Sequence, residues 1–600
     1  MPEWTQDYIS PRTAETLHGL FSIRARQSST KLAYKYYNSS DKQWHEVSWE
    51  EADTAINSWQ HALLQENLKQ GDRVGIMLRN CPQWIYFEQA ALRSGLVVVP
   101  IFPNDRPDNI AHIVNDANLN VVLIEDQQTL ETINQAATTF ISKTRIVTIN
   151  QCNPPSSNNI VHVNSRDWLP EKDSASPVKA LDSIKKDDLA TIVYTSGTTG
   201  LPKGVMLSHW NILSNAYSGI QSITIYHEDL FLSFLPLSHT LERTVGAYIP
   251  IMTGASVAFC RSIPELAEDL VTIRPTVLIA VPRIFERVRG RILEQLTAKP
   301  PIAQKLFNAA QNVGWSRFEI QQKRESWSSK QLLWPILNKL VAQKIINKLG
   351  GRMRFAICGG APLSQPVAKL FIGLGLPVLQ GYGLTESSPI ISVNPIENNI
   401  PDSIGPPLTG VEVRIADDGE LQSRSDSVML GYWNNEAATK DTFTNDGWLQ
   451  TGDLAEIRGD HIFITGRKKE ILVLSNGEKV PPADIEMAIT LDPLFEQALV
   501  IGEGQPCLGA LIVLNPEEWN KEKQALKLDD DMNSTDVKKV ILERISSSMH
   551  QFPGYAKVKQ VIITLDPWTD ENGLLTPSLK MRRKPICDIY AKEIEQIFSN

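Results

Sequence analysis

Six short runs of apolar, largely β-branched residues punctuate the first two thirds of the chain: VGIML at 74–78, VVVPIF at 97–102, VVLI at 121–124, TIVY at 191–194, VLIAV at 277–281 and RFAIC at 354–358. None alternates polar with apolar, so each suits a strand covered on both faces, as in a parallel sheet between helical layers. Helix-patterned segments separate them, and the expected fold class is α/β. A chain of 600 residues also exceeds what one hydrophobic core supports, so two or more domains are expected. The texture changes after about Arg467, where strand candidates at 471–474, 498–501 and 510–514 stand in a smaller α+β context. The boundary falls there, dividing the chain into 1–468 and 469–600. Residues 150–183, rich in Asn, Ser, Pro and Asp, read as a long connector. No internal repeat is visible.

Apolar residues make up 42% and charged residues 21%, which excludes a disordered chain. No apolar run approaches the roughly 18–20 residues a bilayer span needs, and residues 1–30 lack a basic start followed by an apolar block. Neither a spanning helix nor a signal peptide is expected. Cys81, Cys152, Cys260, Cys358, Cys507 and Cys587 are widely scattered, a pattern that suits the reduced cytoplasm better than a disulfide framework or a zinc site.

A net charge of -9 argues against generic nucleic-acid binding, but one region inverts it. The stretch 283–354, bounded by Arg283 and Arg354, holds eight arginines and seven lysines against four glutamates, a balance of +11. Within it, residues 334–350 read as an amphipathic helix with Leu337, Leu340, Val341, Ile345 and Ile346 on one side and Gly350 near its stop. A solvated basic face over an ordinary core helix explains this. So does a surface for anionic lipid, coenzyme phosphates or an acidic carrier, which would place a cytoplasmic protein at the membrane periphery.

The segment richest in chemistry is TSGTTGLPKGVMLSH at 195–209, directly after the TIVY run. Thr195, Ser196, Thr198 and Thr199 with Gly197, Gly200 and Gly204 supply hydroxyls and a pliable backbone that can wrap phosphate oxygens, and Lys203 adds charge. It is not a Walker loop, because no Gly-Lys-Ser/Thr occurs in it.

At this point the sequence resembles the adenylate-forming enzymes, the superfamily of acyl-CoA synthetases, luciferases and peptide-synthetase adenylation domains. Further segments match in order: GYGLTE at 381–386, GWLQTGD at 447–453, GRKKE at 466–470 and LLTPSLK at 574–580. The likeness spans nearly the whole chain. LPLSHTLER at 235–243, VPRIFER at 281–287 and LSNGE at 474–478 are similar to the long-chain fatty acyl-CoA synthetase branch. The resemblance implies a large, multi-subdomain N-terminal adenylate-forming (AMP-binding) domain at 1–468 and a small mobile α+β lid domain at 469–600.

It also implies residue roles. The ATP or AMP would be held by residues 195–200 with Lys203, by Gly360 and Ala361 beside Gly359, and by Gln380, Gly381, Tyr382, Gly383, Thr385 and Glu386. Tyr382 would stack on adenine, while Asp453 and Arg467 would hold the ribose. A carboxylate suits two vicinal hydroxyls. Thr195 and Glu386 would contact Mg2+, for which a hard oxygen ligand is apt. Lys580 would bridge carboxylate and α-phosphate as charge builds, with Lys203 and His239 near the reacting groups. Lys469 would be the hinge between domains, and Gly477 would line the thiol tunnel.

Two departures stand out. Some fatty acyl-CoA synthetases carry a tryptophan gate four residues beyond the histidine, where this chain has Arg243. Several relatives have a second basic residue soon after the hinge, where this chain has Val473. The expected reaction is attack of a long-chain fatty carboxylate on ATP, then displacement of AMP by coenzyme A. An acyl carrier protein as acceptor is the alternative, and a non-catalytic acyl-binding membrane scaffold is a third reading that the retained Lys203, Glu386, Asp453 and Lys580 disfavour.

Overall fold

The computed structural model describes residues 4–171, 178–195, 201–528, 531–550, 552–576 and 580–598. Two eight-stranded sheets form its bulk. The first runs, edge to edge, through Gly431–Tyr432, Lys203–Ser208, Leu189–Thr195, Val97–Pro100, Arg73–Met77, Val121–Ile124, Thr144–Thr148 and Ile160–Asn164. The second runs through Ile390–Val393, Val378–Gly383, Phe355–Cys358, Val277–Ala280, Leu230–Ser233, Ser256–Phe259, Leu32–Asn38 and Gln43–Ser48. Interior neighbours pair in parallel, and antiparallel strands appear at the margins. Every residue of Val97–Pro100, Val121–Ile124, Val277–Ala280 and Phe355–Cys358 is buried, which is why these runs show no alternation.

Helices cover both sheets. Trp49–Leu64 starts at a reciprocal cap in which Ser48 and Glu51 satisfy each other's main-chain amides, and it buries Trp49, Ile56 and Trp59. Four antiparallel strands, Glu412–Ile415, Glu420–Arg424, Leu449–Arg458 and His461–Arg467, form a separate sheet. Beyond it, Phe495–Ile501, Leu508–Leu514 and Val558–Thr564 make a three-stranded sheet with a core of its own around Ile485, Ile512, Trp519 and Ile541. No described helix is long and apolar enough to cross a membrane, and all six cysteines are free.

Three sequence expectations need correction. The connector at 150–183 contains the strand Ile160–Asn164, which completes the first sheet, and the short helix Ser165–Trp168. Its apolar content is carried by few residues: Trp168 packs on Trp59 and donates Nε1–H to Glu66 at 2.7 Å. The segment at 471–474 is a strand only over Leu472–Val473. The amphipathic helix beginning at Trp334 is helical throughout Trp334–Asn347 but widens into a π-helix over Asn338–Ala342. The extra residue per turn shifts its faces, so Leu337 is buried while Leu340 is 47% exposed.

Candidate active site

The hairpin of Leu189–Thr195 and Lys203–Ser208 in the first sheet sets Thr195 opposite Lys203. Ser196, Gly197, Thr198, Thr199 and Gly200 lie outside the described residues, so the structure places only the two ends of that loop. Gly204 must lack a side chain, since a Cβ there would stand 2.6 Å from Ile192 Cγ2 across the hairpin. Lys203 is exposed, and its Nζ lies 5.0 Å above the ring of Tyr432, a cation–π geometry. Tyr432 in turn donates its hydroxyl to Glu386 Oε1 at 2.7 Å. Burial, with Glu386 beside it, pushes the Tyr432 hydroxyl above its ordinary value, so it remains a donor. Tyr432 was not among the residues expected at the site. Its only sequence signal is a glycine–aromatic run, GYW at 431–433.

Tyr382 ends the strand Val378–Gly383 and donates to Asp453 Oδ2 at 2.5 Å. Arg467 Nε donates to Asp453 Oδ1 at 3.0 Å, because Asp453 and Arg467 face each other across the antiparallel pair Leu449–Arg458 and His461–Arg467. Each carboxylate oxygen thus has one protein donor and a second lone pair for another. Fixing the Tyr382 hydroxyl also fixes its ring. Gly360 adopts a left-handed φ of +82°, which favours glycine, and Gly359 packs so that a Cβ would lie 3.1 Å from Leu241. Ala361 is exposed beside it.

Gln380 is buried, its side chain accepting from Leu363 N at 2.9 Å and donating to Pro401 O. One N–H and one oxygen lone pair of the amide are thus engaged with main chain, which fixes the side chain against the strand.

His239 is half-buried, and its Nδ1 accepts from Leu241 N at 3.1 Å, which leaves Nε2 as the protonated nitrogen of the neutral ring. Burial, followed by the charge of Lys580, pushes it down to about 4, so it is uncharged at neutral pH. The next residue, Thr240, shares a 3.3 Å hydroxyl contact with Thr385, tying this loop to the turn Thr385–Ser387 that carries Glu386.

Lys580 arrives from the C-terminal segment. Thr576 N donates to Lys580 O at 2.8 Å and Lys580 N to Thr576 Oγ1 at 3.0 Å. Its ammonium is pushed below the ordinary lysine value by the surrounding protein and by Arg467, against opposing pulls from Asp453, Glu386 and Glu470. One lysine therefore shares an electrostatic neighbourhood with His239, Asp453, Arg467 and Glu386. The other two C-terminal candidates lie elsewhere. Lys469 is exposed in the turn that follows Arg467, next to Lys468, which pairs with Asp418 at 2.5 Å and Glu420 at 3.0 Å. Gly477 sits at φ +85° in the exposed loop between Leu472–Val473 and Lys479–Val480. Nothing in the sequence distinguishes Lys468 from its neighbours as the anchored one.

The family model described as AMP-binding enzyme matches residues 21–433, and that described as AMP-binding enzyme C-terminal domain matches 469–600. The chain is 31% identical over 582 residues to the long-chain-fatty-acid–CoA ligase FadD15 of Mycobacterium bovis, covering 94% of each chain. It is 30% identical over 589 residues to the peroxisomal long chain acyl-CoA synthetase 6 of Arabidopsis thaliana, covering 93% of this chain and 82% of that one. Its fold is similar to that of the adenylation domain of a carboxylate reductase from Mycobacterium chelonae, with a TM-score of 0.75 at 21% identity over 98% of this chain and 91% of that one.

Proposed function

The chain belongs to the AMP-binding enzymes, and on that footing we propose that it is an ATP-dependent long-chain fatty acid–CoA ligase. A fatty carboxylate would attack the α-phosphorus of ATP, giving acyl-AMP and releasing pyrophosphate, and the thiol of coenzyme A would then take the acyl group and release AMP. The substrate class follows its near-full-length similarity to ligases of that name. The observation that supports the chemistry is electrostatic: the charge of Lys580 acts on His239, and Asp453, Glu386 and Arg467, from elements far apart in sequence, act on Lys580.

Two anions must meet in the first step, so the burden falls on positioning and charge rather than on a protein nucleophile. Lys580 neutralises the attacking carboxylate and the α-phosphate. Its lowered value reflects desolvation, which strengthens its field at the reacting atoms. Lys203 is held over the Tyr432 ring at the mouth of the phosphate loop and receives the outgoing phosphates. Neutral His239 adds no competing positive charge and offers Nε2–H as a donor. Asp453 and Arg467 take the ribose, and the anchored Tyr382 ring takes the base.

Among the described residues no cluster of three or more His, Cys, Asp or Glu could hold a metal alone. Glu386, whose Oε2 is left free by the Tyr432 bond to Oε1, and Thr195 would hold an ion carried mainly by phosphate oxygens. Bound there, magnesium would offset phosphate charge.

We read 1–468 as the adenylation domain and 469–600 as the lid, with Lys469 as pivot and Gly477 along the thiol path. Anchorage of Lys468 to Asp418 and Glu420 supports a pivot one residue later, where the Lys469 side chain is exposed. The basic stretch 283–354 is read as a peripheral contact with anionic membrane. ATP–pyrophosphate exchange across fatty acids of different length, followed by thioester formation with coenzyme A or acyl carrier protein, tests the reading. No exchange with any fatty acid would refute it.

A further inference from the structure

Exposed apolar side chains cluster on one hairpin. Of the 23 large hydrophobic side chains exposed among the described residues, seven fall within 302–340: Ile302, Leu306, Trp327, Leu332, Leu333, Ile336 and Leu340. Scattered exposed leucines need no explanation, but a cluster does. The hairpin is the long helix Pro301–Gln321 and the returning helical run that starts at Ser329. Its inner side is satisfied, with Leu337 packed on Ala310 and Val313 and flanked by Trp334 and Val341. Leu332, Ile336 and Leu340, spaced four apart on the outer side, are 69%, 60% and 47% exposed, and none of the described residues covers them.

Charge narrows the choice of partner. Residues 326–351 contain four lysines and no aspartate or glutamate. Lys330, Lys339 and Lys344 are all exposed, and none forms an ion pair among the described residues. An apolar ridge of leucine and isoleucine beside an aromatic ring, set in unpaired lysines, is the composition of a face that lies in the head-group region of an anionic bilayer. An acidic carrier would be met by charge alone and gives no reason for the exposed ridge.

We propose that the outer face of residues 327–340 docks on an anionic lipid bilayer, inserting Leu332, Ile336 and Leu340 among the acyl chains while Lys330, Lys339 and Lys344 meet the head groups. The proposal rests on the fatty-acid reading above, since the bilayer is where a long-chain acid dissolves.

The full-length protein is tested by co-sedimentation with phosphatidylcholine vesicles, with and without phosphatidylglycerol, across a salt series. Two variants accompany it: Leu332→Ser/Ile336→Ser/Leu340→Ser and Lys330→Glu/Lys339→Glu/Lys344→Glu. Lys348 is left alone because it donates to Gln295 at 3.3 Å. The wild type should bind only the anionic vesicles and release them with salt. Each variant should bind about tenfold or more weakly. Equal binding to both lipids, no binding, or retention by both variants overturns the proposal. So does loss of a wild-type dimer in the ridge variant, which would make a second copy the occupant, or capture of acyl carrier protein in place of vesicles. The wild-type lipid and salt comparisons hold even if a variant misfolds. ATP–pyrophosphate exchange with octanoate, without vesicles, should be unchanged in both variants. Absence of exchange from the wild type with octanoate and with every longer fatty acid would instead count against the fatty-acid reading.

Discussion

Arg243 and Glu88 form an ion pair with both side chains almost wholly out of solvent, Nε donating to Oε1 at 2.6 Å. Tyr248 donates to the same oxygen at 2.6 Å, Arg243 reaches Thr191 Oγ1 at 2.8 Å, and the guanidinium lies 5.3 Å over the Trp84 ring. Arg243 occupies the place where some fatty acyl-CoA synthetases carry a gating tryptophan. Here it is fastened to the scaffold one helical turn from His239, its amide donating to the His239 carbonyl at 3.1 Å. A side chain so held cannot swing as a gate.

Removing one partner of that pair should be costly. Arg243→Met leaves the Glu88 carboxylate buried without its counter-charge and should destabilise the protein by about 3–5 kcal/mol in urea unfolding. Arg243→Met/Glu88→Gln should recover most of the loss. Additive losses in the two single variants and the double would show that the pair is not coupled.

Lys580→Ala should lower acyl-adenylate formation about a hundredfold or more, the scale of losing one charged contact made in the transition state. Thioester formation from supplied acyl-adenylate should survive far better. Equal loss in both half-reactions would remove Lys580 from the adenylation step.

The α/β class was legible because strands buried on both faces carry unbroken apolar runs, as Val121–Ile124 does. What was not legible depends on contacts distant in sequence. Ile160–Asn164 is a strand because Thr144–Thr148 offers it an edge, in a stretch whose composition reads as loop. Leu340 faces outward because a π-helix rotates it, and no residue type signals that widening. In the site, Asp453 and Arg467 each stood in a recognisable motif, but their pairing is a matter of strand register. Tyr432 and the buried commitment of Gln380 are tertiary facts without a local pattern.

Tyr432→Phe keeps the ring beneath Lys203 but deletes the hydroxyl that Glu386 accepts. Adenylation should fall by about tenfold, the worth of one hydrogen bond to a charged group. Tyr432→Leu, which also removes the ring, should fall further. If both variants matched the wild type in pyrophosphate exchange, the Lys203–Tyr432–Glu386 chain would have no part in the reaction.

Lys469→Pro fixes φ and removes an amide donor at the pivot. With Lys468 held by Asp418 and Glu420 on one side, the lid should be unable to rotate. Adenylation should persist while thioester formation collapses, as measured in separate half-reaction assays. Full turnover by a folded Lys469→Pro variant would move the hinge elsewhere.

Stability should depend on pH with two opposed slopes. Burial pushes His209 down to about 3 and His18 down to about 4, from 6.5, with Arg93 adding to the effect on His18 and His18 to that on His209. Both are neutral in the folded protein, whereas an unfolded chain protonates them below pH 6.5. Their contribution is full above 6.5 and is lost as pH falls toward 4 and then 3. Glu242 has the opposite sign. Burial raises it from 4.5 to about 8, so the folded protein keeps a proton that the unfolded chain releases, and stability declines as pH rises from 4.5 through 8. Urea midpoints between pH 4 and 9 should therefore peak near pH 6.5. Glu242→Gln, which supplies a permanently neutral group of the same shape, should flatten the alkaline limb and exceed the wild type by about 5 kcal/mol above pH 8, while leaving the acid limb in place. An alkaline limb that survives the substitution would assign that loss to another group.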